Sequence, residues 1–267
     1  MKKLVFTLAT CCIMCACEQK TETNPFFTEF RTEYGAPDFD KIKIEHYEPA
    51  FLKGIEEQNA EIKAIVESRE TPGFENTIVA LDNSGRTLAR VKGVFYALTE
   101  ADTNDEMSAL SEKIAPVLSE HNDNIYLNQD LYKRVAAVWQ QEQEGKITLT
   151  TEQHRLLDRY YKAFIRSGAG LDAGKQNRLR EINKELSTLA ITFSNHVLNE
   201  NNAYRLVIDN EAELAGLPEW VKTGAAEEAK AVGKEGKWLF TLQNSSRLPL
   251  LQYADNRELR KDIYEAY

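Results

Sequence analysis

The four histidines of this 267-residue chain are the side chains best suited to bind a catalytic metal ion. They are His46, His121, His154 and His196, and none lies within five residues of another. A catalytic zinc ion needs three protein ligands, and the helical motif His-Glu-x-x-His supplies two of them on one face, beside a glutamate base. The chain lacks this motif. His196 and Glu200 do have i, i+4 spacing, but such pairs are common on helix surfaces, so we interpret them as an exposed helical pair.

Motifs for phosphate binding and for nucleophilic catalysis are also missing. The segment 168–175 (Gly-Ala-Gly-Leu-Asp-Ala-Gly-Lys) superficially resembles a phosphate-binding loop, but Ala169 replaces the first glycine of that motif and Gln176 replaces its serine or threonine. It lies between two predicted helices with no strand leading in, so we predict an interhelical loop. No Gly-x-Ser-x-Gly occurs, and the 42 acidic residues are too scattered to single out a general acid and base.

All four cysteines lie within the first 17 residues, in a segment typical of a signal peptide. A Met-Lys-Lys start is followed by about a dozen apolar residues, which is too short for a membrane-spanning helix because that needs roughly 20. We therefore expect residues 1–16 to be a signal peptide. Cys17 follows a small residue and precedes polar ones, as at a bacterial lipoprotein cleavage site. Cys17 is thus the expected lipidation site, and residues 17–24 the expected tether.

These features predict an exported protein, anchored by lipid to a bacterial membrane on its periplasmic side or at the cell surface. The alternative is ordinary secretion with cleavage near Ala16. The composition, 42% hydrophobic and 28% charged, is that of a globular protein, and membrane contact is expected only through the lipid. The net charge of −9 removes the electrostatic attraction on which nucleic-acid binding depends, so nucleic acid is not an expected partner.

Hydrophobic periodicity predicts a mostly α fold, with a helical bundle-like region over residues 25–267. The 13 glycines and 7 prolines are few for an all-β chain of this length. Apolar residues recur at helical spacing near 47–65, 76–98, 107–118, 127–138, 156–165 and 179–197. We expect Asn76 to cap the second of these helices, Pro116 to kink or interrupt the third, and Gly168 to end the fifth.

The helix predicted near 179–197 has the clearest apolar face, formed by Leu179, Ile182, Leu186, Leu189, Phe193 and Val197. Beyond it, alternating residues at 204–209 and a β-rich segment at 237–242 predict a small β-hairpin near 204–243. The chain then finishes inside a helical pattern from Arg257 to Tyr267, which suggests that the sequence is incomplete. Close to the N terminus we expect a packed arm rather than a binding patch from Phe26, Phe27, Phe30 and Tyr34.

Several short segments between residue 24 and the end of the chain occur in the order and spacing of a known family. They are Asn24-Pro25-Phe26, Phe39-Asp40-Lys41-Ile42-Lys43, His46-Tyr47, Pro49-Ala50-Phe51, Pro72-Gly73-Phe74-Glu75-Asn76-Thr77, Phe164-Ile165-Arg166-Ser167-Gly168-Ala169, Leu186-Ser187, Phe193-Ser194-Asn195, Leu214-Ala215-Gly216-Leu217-Pro218, Leu251-Gln252-Tyr253-Ala254-Asp255-Asn256-Arg257 and Tyr264-Glu265-Ala266-Tyr267. Together they resemble the N-terminal half of the thimet-oligopeptidase family of zinc metallopeptidases, in its bacterial dipeptidyl carboxypeptidase branch.

The resemblance implies a helical region that forms one wall of a deep channel admitting short unstructured peptides. Family members cleave such peptides with a zinc-bound water, and the dipeptidyl carboxypeptidases release dipeptides from free C-termini. The family's zinc ligands belong to a second half that is absent from this sequence, so no catalytic or metal-binding residue is carried over. Zinc is therefore expected in the full-length family enzyme and not in this chain, which we predict to be inactive alone.

The expected partners are short peptides and the missing catalytic half. If that half normally packs here, the chain alone should expose an apolar patch larger than the few hundred square ångströms usual for monomers. The alternative reading is a stand-alone helical lipoprotein that binds peptides or another protein.

Overall fold

A computed structural model describes residues 24–267 of the chain. The expected signal peptide (1–16), the expected lipidation site Cys17 and all but the last residue of the expected tether (17–24) lie outside the described residues. They therefore stay predictions.

Helices make up most of the described chain, which confirms the mostly α prediction. The helices are α1 (Tyr47–Glu67), α2 (Ala80–Asp82), α3 (Arg86–Ala101), α4 (Asp105–Tyr126), α5 (Gln129–Gln143), α6 (Thr151–Arg166), α7 (Ala173–Ala203), α8 (Glu219–Ala231), α9 (Asn244–Tyr253) and α10 (Arg257–Ala266). The strands are β1 (Leu206–Ile208) and β2 (Trp238–Phe240). None of the helices in this part of the chain is long and apolar enough to cross a membrane.

Helix α1 connects two hydrophobic clusters because its two halves bury different residues. Tyr47 and Phe51, in its first half, pack with Phe95 of α3, and their ring centroids lie 5.2 and 5.3 Å from that of Phe95. Ile62 and Ile65, in its second half, join a cluster built mainly by α5 and α6. Burial of these apolar side chains supplies the main stabilising free energy of the body.

The helix predicted from Asn76 to Leu98 is interrupted in the structure. A π-helical turn (Phe74–Val79) leads into α2, and the chain then breaks at Gly85, whose φ of +71° suits glycine, before α3 begins. Asn76 is not the N-cap residue itself: Gly73 holds that position, and Asn76 caps from the third position of the turn, where its Oδ1 accepts a hydrogen bond from the Gly73 N–H at 2.8 Å. The Gly85 N–H donates to Glu61 of α1 at 2.7 Å, which fixes the break against the body.

The fold rules out the predicted interruption at Pro116 and confirms one glycine prediction. Helix α4 runs through Pro116 without interruption, with Ile114 and Ala115 buried beside it. Tertiary packing of the flanking turn thus outweighs the backbone hydrogen bond that proline removes. Helix α6, by contrast, ends as predicted, because Gly168 adopts a φ of +93° two residues after its last residue.

Helix α7 runs antiparallel to α4 and joins the helical body to a C-terminal unit. Hydrogen bonds link Arg180 to Asn124 at 2.9 Å and Asn195 to Glu112 at 2.8 Å, so the two helices run in opposite directions. In the C-terminal unit, β1 and β2 pair antiparallel as expected for 204–243, and α8 lies in the connection between them. This unit has its own core, in which Leu214, Leu250 and Ile263 are fully buried.

Candidate functional site

The histidines do not converge in the structure. His121 is buried in α4 and donates to Gln58 of α1 at 2.8 Å, whereas Nδ1 of His154 in α6 lies 2.7 Å from Glu142 of α5. His46 Nδ1 accepts a hydrogen bond from a backbone N–H, and His196 is exposed on α7. Among residues 24–267 there is no group of three or more His, Cys, Asp or Glu side chains that could hold a metal ion. The possible metal ligands on residues 24–267 therefore do not fit a catalytic zinc ion.

The segment 168–175 forms the predicted interhelical loop. It connects α6 to α7, and Asp172 caps α7 by accepting a hydrogen bond from the Lys175 N–H at 3.0 Å. A methyl group added at Gly168 would lie 2.8 Å from the side chain of Leu179, so the glycine permits α7 to leave close to the body. Gly168 thus serves packing, whereas an added Cβ at Gly170 would meet nothing within 4 Å.

Of the N-terminal aromatic residues, Phe26 and Phe30 pack as the predicted arm, whereas Phe27 and Tyr34 are exposed. Phe26 is fully buried, with its ring centroid 5.2 Å from that of Tyr47. Arg90 of α3 holds the arm by donating to the carbonyl oxygens of Phe26 at 2.9 Å and Thr28 at 3.1 Å. Tyr34 is 95% exposed and takes no part in this packing.

Several large apolar side chains of α7 are exposed along one face of the helix. None of the residues of this 31-residue helix is buried. Leu186, Leu189 and Phe193 are 56%, 54% and 69% exposed, and Ile182 and Val197 are exposed as well. We call the exposed set formed by Ile182, Leu186, Leu189, Phe193 and Val197 the α7 stripe. Five of the six residues predicted on the apolar face are therefore exposed, and none of them belongs to a hydrophobic cluster of residues 24–267. The sixth, Leu179, is half-buried.

The α7 stripe and the contacts to α4 lie on different sides of the helix. At about 100° per residue, the stripe falls within an arc of about 80°. Three α7 side chains form hydrogen bonds with α4: Arg180, Asn183 and Asn195. Around the helix axis they lie on average about 130° from the centre of the stripe. Helix α7 thus makes these hydrogen bonds to α4 on one side and exposes the stripe on another.

A polar cleft of about 470 Å³ lies between α4 and α7. Asp123 is buried on its α4 side and accepts a hydrogen bond from Asn183 Nδ2 at 2.8 Å. Burial raises the pKa of Asp123, and the bond from Asn183 opposes that rise. Leu186 lines the same cleft, so the cleft borders the α7 stripe. Sequence patterns could not find this pair, because its two members are 60 positions apart.

The sequence of this chain is similar to those of known peptidases. The chain is 39% identical to the dipeptidyl carboxypeptidase of Escherichia coli (strain K12) over 246 residues, which cover 92% of this chain and 36% of that protein. The same enzyme of Salmonella typhimurium is 39% identical over 91% of the chain, which is 36% of its own length. Oligopeptidase A of Salmonella typhimurium is 33% identical over 92% of the chain and 35% of its length.

The chain belongs to the thimet-oligopeptidase family. It corresponds to the N-terminal part of these peptidases and spans about a third of their length. No family model matches the chain. The α7 stripe, the α4–α7 cleft and the set of scattered histidines are therefore features of one part of a thimet-oligopeptidase relative.

Proposed function

We propose that this chain is the N-terminal channel-wall region of a zinc metallopeptidase that releases C-terminal dipeptides from short peptides. The observation that carries the proposal is its 39% identity to a dipeptidyl carboxypeptidase over 92% of the chain. Similarity over 92% of the chain supports a shared fold, and the long helices are suited to form the wall of a channel. The substrates of the complete protein would be short peptides.

In this proposal the chain contributes shape and surface, and the chemistry resides in the catalytic part. Hydrolysis by a metal-bound water requires several converging ligands. The donors on residues 24–267 do not form such a set, so no step of peptide hydrolysis is assigned to them. We therefore propose that the 267-residue chain alone is inactive, and that zinc belongs to the complete enzyme.

A chimaera tests the proposed function directly. Residues 24–267 replace the matched segment of the Escherichia coli dipeptidyl carboxypeptidase, and release of C-terminal dipeptides from an N-blocked short peptide is measured. We expect chelator-sensitive hydrolysis by the chimaera and none by this chain with zinc. The controls are the unaltered enzyme and the same enzyme without the segment. A folded but inactive chimaera would refute the proposal, and metal-dependent turnover by the chain alone would refute the assignment of its inactivity.

We further propose that Cys17 carries the lipid that anchors the exported protein to the bacterial membrane. The test is incorporation of labelled palmitate into the full chain expressed in a bacterial host. Cys17→Ser should abolish labelling and membrane association, whereas the matched change Cys15→Ser should leave both unchanged. Labelling that persists in Cys17→Ser would reject the site.

The stand-alone binding lipoprotein remains the competing outcome. A stop codon directly after the Tyr267 codon, together with binding of short peptides by the chain alone, would support it. An open reading frame that continues into His-Glu-x-x-His would support the peptidase instead.

A further inference from the structure

We infer that the α7 stripe is the docking surface for the catalytic part of the peptidase. This inference rests on the proposed function and identifies the surface of this chain through which the two parts join. The stripe consists of five large apolar side chains along about 22 Å of helix, since each residue adds 1.5 Å. Such a continuous apolar surface is characteristic of an interface rather than of scattered exposed residues.

The fold of the described chain does not itself account for the stripe. The α4 seam uses other positions of α7, including Asn183 and Arg180, and neither hydrophobic cluster of the helical body includes a stripe residue. The core of the C-terminal unit contains none either. An amphipathic helix with this pattern is stabilised by burying its apolar side, so a further structural element must cover it.

The extent of the sequence match indicates which element that is. The relatives align along 92% of this chain, yet the aligned part makes up only 36% of the Escherichia coli enzyme. About two thirds of such an enzyme therefore lies outside the match, which is ample polypeptide to cover one helix face. The proposed function assigns catalysis to that remaining part, so we take the catalytic part as the occupant of the stripe.

The charge pattern argues against a membrane surface as the occupant. A helix that lies on anionic lipids carries a predominantly basic polar face. The polar side of α7 mixes lysine and arginine with acidic residues such as Glu181 and Glu185, and the chain carries a net charge of −9. A protein surface with apolar side chains fits this helix better.

Cysteine labelling tests the docking surface without relying on activity. Leu189→Cys lies on the stripe, and Lys184→Cys lies on the opposite side of α7 as a matched control. Each is placed in the 267-residue chain and in the chimaera, and maleimide modification is read at that site by peptide mass. We expect Leu189→Cys to react quickly in the chain alone and about tenfold more slowly in the chimaera, a protection of about 1.4 kcal/mol. Lys184→Cys should react at the same rate in both.

A stability measurement on a second variant checks the result. Phe193→Ser should lower the thermal unfolding midpoint of the chimaera and leave that of the chain alone unchanged, because only the chimaera buries this ring. Thr188→Ser, away from the stripe, should change neither midpoint. Equal labelling of Leu189→Cys in both proteins, or equal effects of Phe193→Ser, would overturn the inference.

The outcomes separate docking from function. An inactive chimaera with a protected stripe refutes the proposed peptidase function and supports docking. An active chimaera with an unprotected stripe supports the peptidase function and refutes docking. Slow labelling in the chain alone would overturn the catalytic part as the occupant of the stripe. A dimer mass would then identify a second copy as the occupant, and binding to anionic vesicles would identify a lipid surface. A chimaera that does not fold counts against both proposals, since both require the two parts to fit.

Discussion

Replacing Gly54 by alanine should destabilise the protein because α1 and α3 approach closely at this residue. An added Cβ would lie 2.8 Å from both the Cα and the N atom of Leu88, and these are backbone atoms of α3. Carbon atoms normally pack at about 3.5–4.0 Å. Helix α3 would therefore have to move outwards by roughly 0.7 Å or more, which would loosen the ring contact between Phe51 and Phe95.

The expected magnitude follows from two opposing effects. Overpacking of a tight interior costs about 1–3 kcal/mol. Alanine is a better helix former than glycine by about 0.5–1 kcal/mol. The midpoints of these two ranges, about 2 and about 0.75 kcal/mol, leave an expected loss of unfolding free energy of about 1 kcal/mol for Gly54→Ala.

Gly93 provides a matched control because it also lies inside a helix, α3, but has nothing within 4 Å of an added Cβ. Gly93→Ala should gain the helix preference alone and stabilise the chain by about 0.5–1 kcal/mol. Urea unfolding of the full chain, followed by circular dichroism, measures both variants. The difference between them isolates the steric cost. The reasoning fails if Gly54→Ala is as stable as the parent, or if both substitutions shift stability in the same direction.

Two further predictions concern a helix cap and a buried histidine. Thr150→Ala should cost about 1 kcal/mol of unfolding free energy, because the Thr150 hydroxyl caps α6 by accepting a hydrogen bond from the Gln153 N–H at 3.3 Å. Thr151→Ala, in the first turn of the same helix, should cost nothing. Equal losses for the two variants in urea unfolding would contradict the cap. Burial, helped by the positive charge of Lys92, lowers the pKa of His121 in the folded protein. As the pH falls, this histidine is therefore protonated in the unfolded chain before it is protonated in the folded one. The free energy of unfolding should fall as pH drops below about 6.5 towards the folded-state pKa. His121→Gln should flatten this part of the unfolding profile between about pH 7 and pH 5, and an unchanged pH slope would contradict the assignment.

The sequence by itself determined most helices of the body, since the signals that set them are local. Apolar spacing placed α1, α5 and α6, because a 3.6-residue period records one buried side wherever the partner lies. Gly168 marked the end of α6, because a C-terminal cap depends on neighbours within one turn. The family resemblance was equally readable, since it rests on the order of short segments along the chain.

Other features depended on contacts between distant segments and were decided by the tertiary structure. The break at Gly85 depends on Glu61, and the cleft depends on Asp123 meeting Asn183. Local rules suggested an interruption at Pro116, yet packing keeps α4 continuous there.

Helix α7 shows the physical limit of sequence reasoning most clearly. Its period predicted both the helix and its apolar face, and both are present. Periodicity states that a face is apolar but not what covers it, because burial is a property of the surrounding structure. Only the tertiary arrangement showed that α4 binds a different side of α7 and leaves Phe193 and its neighbours exposed.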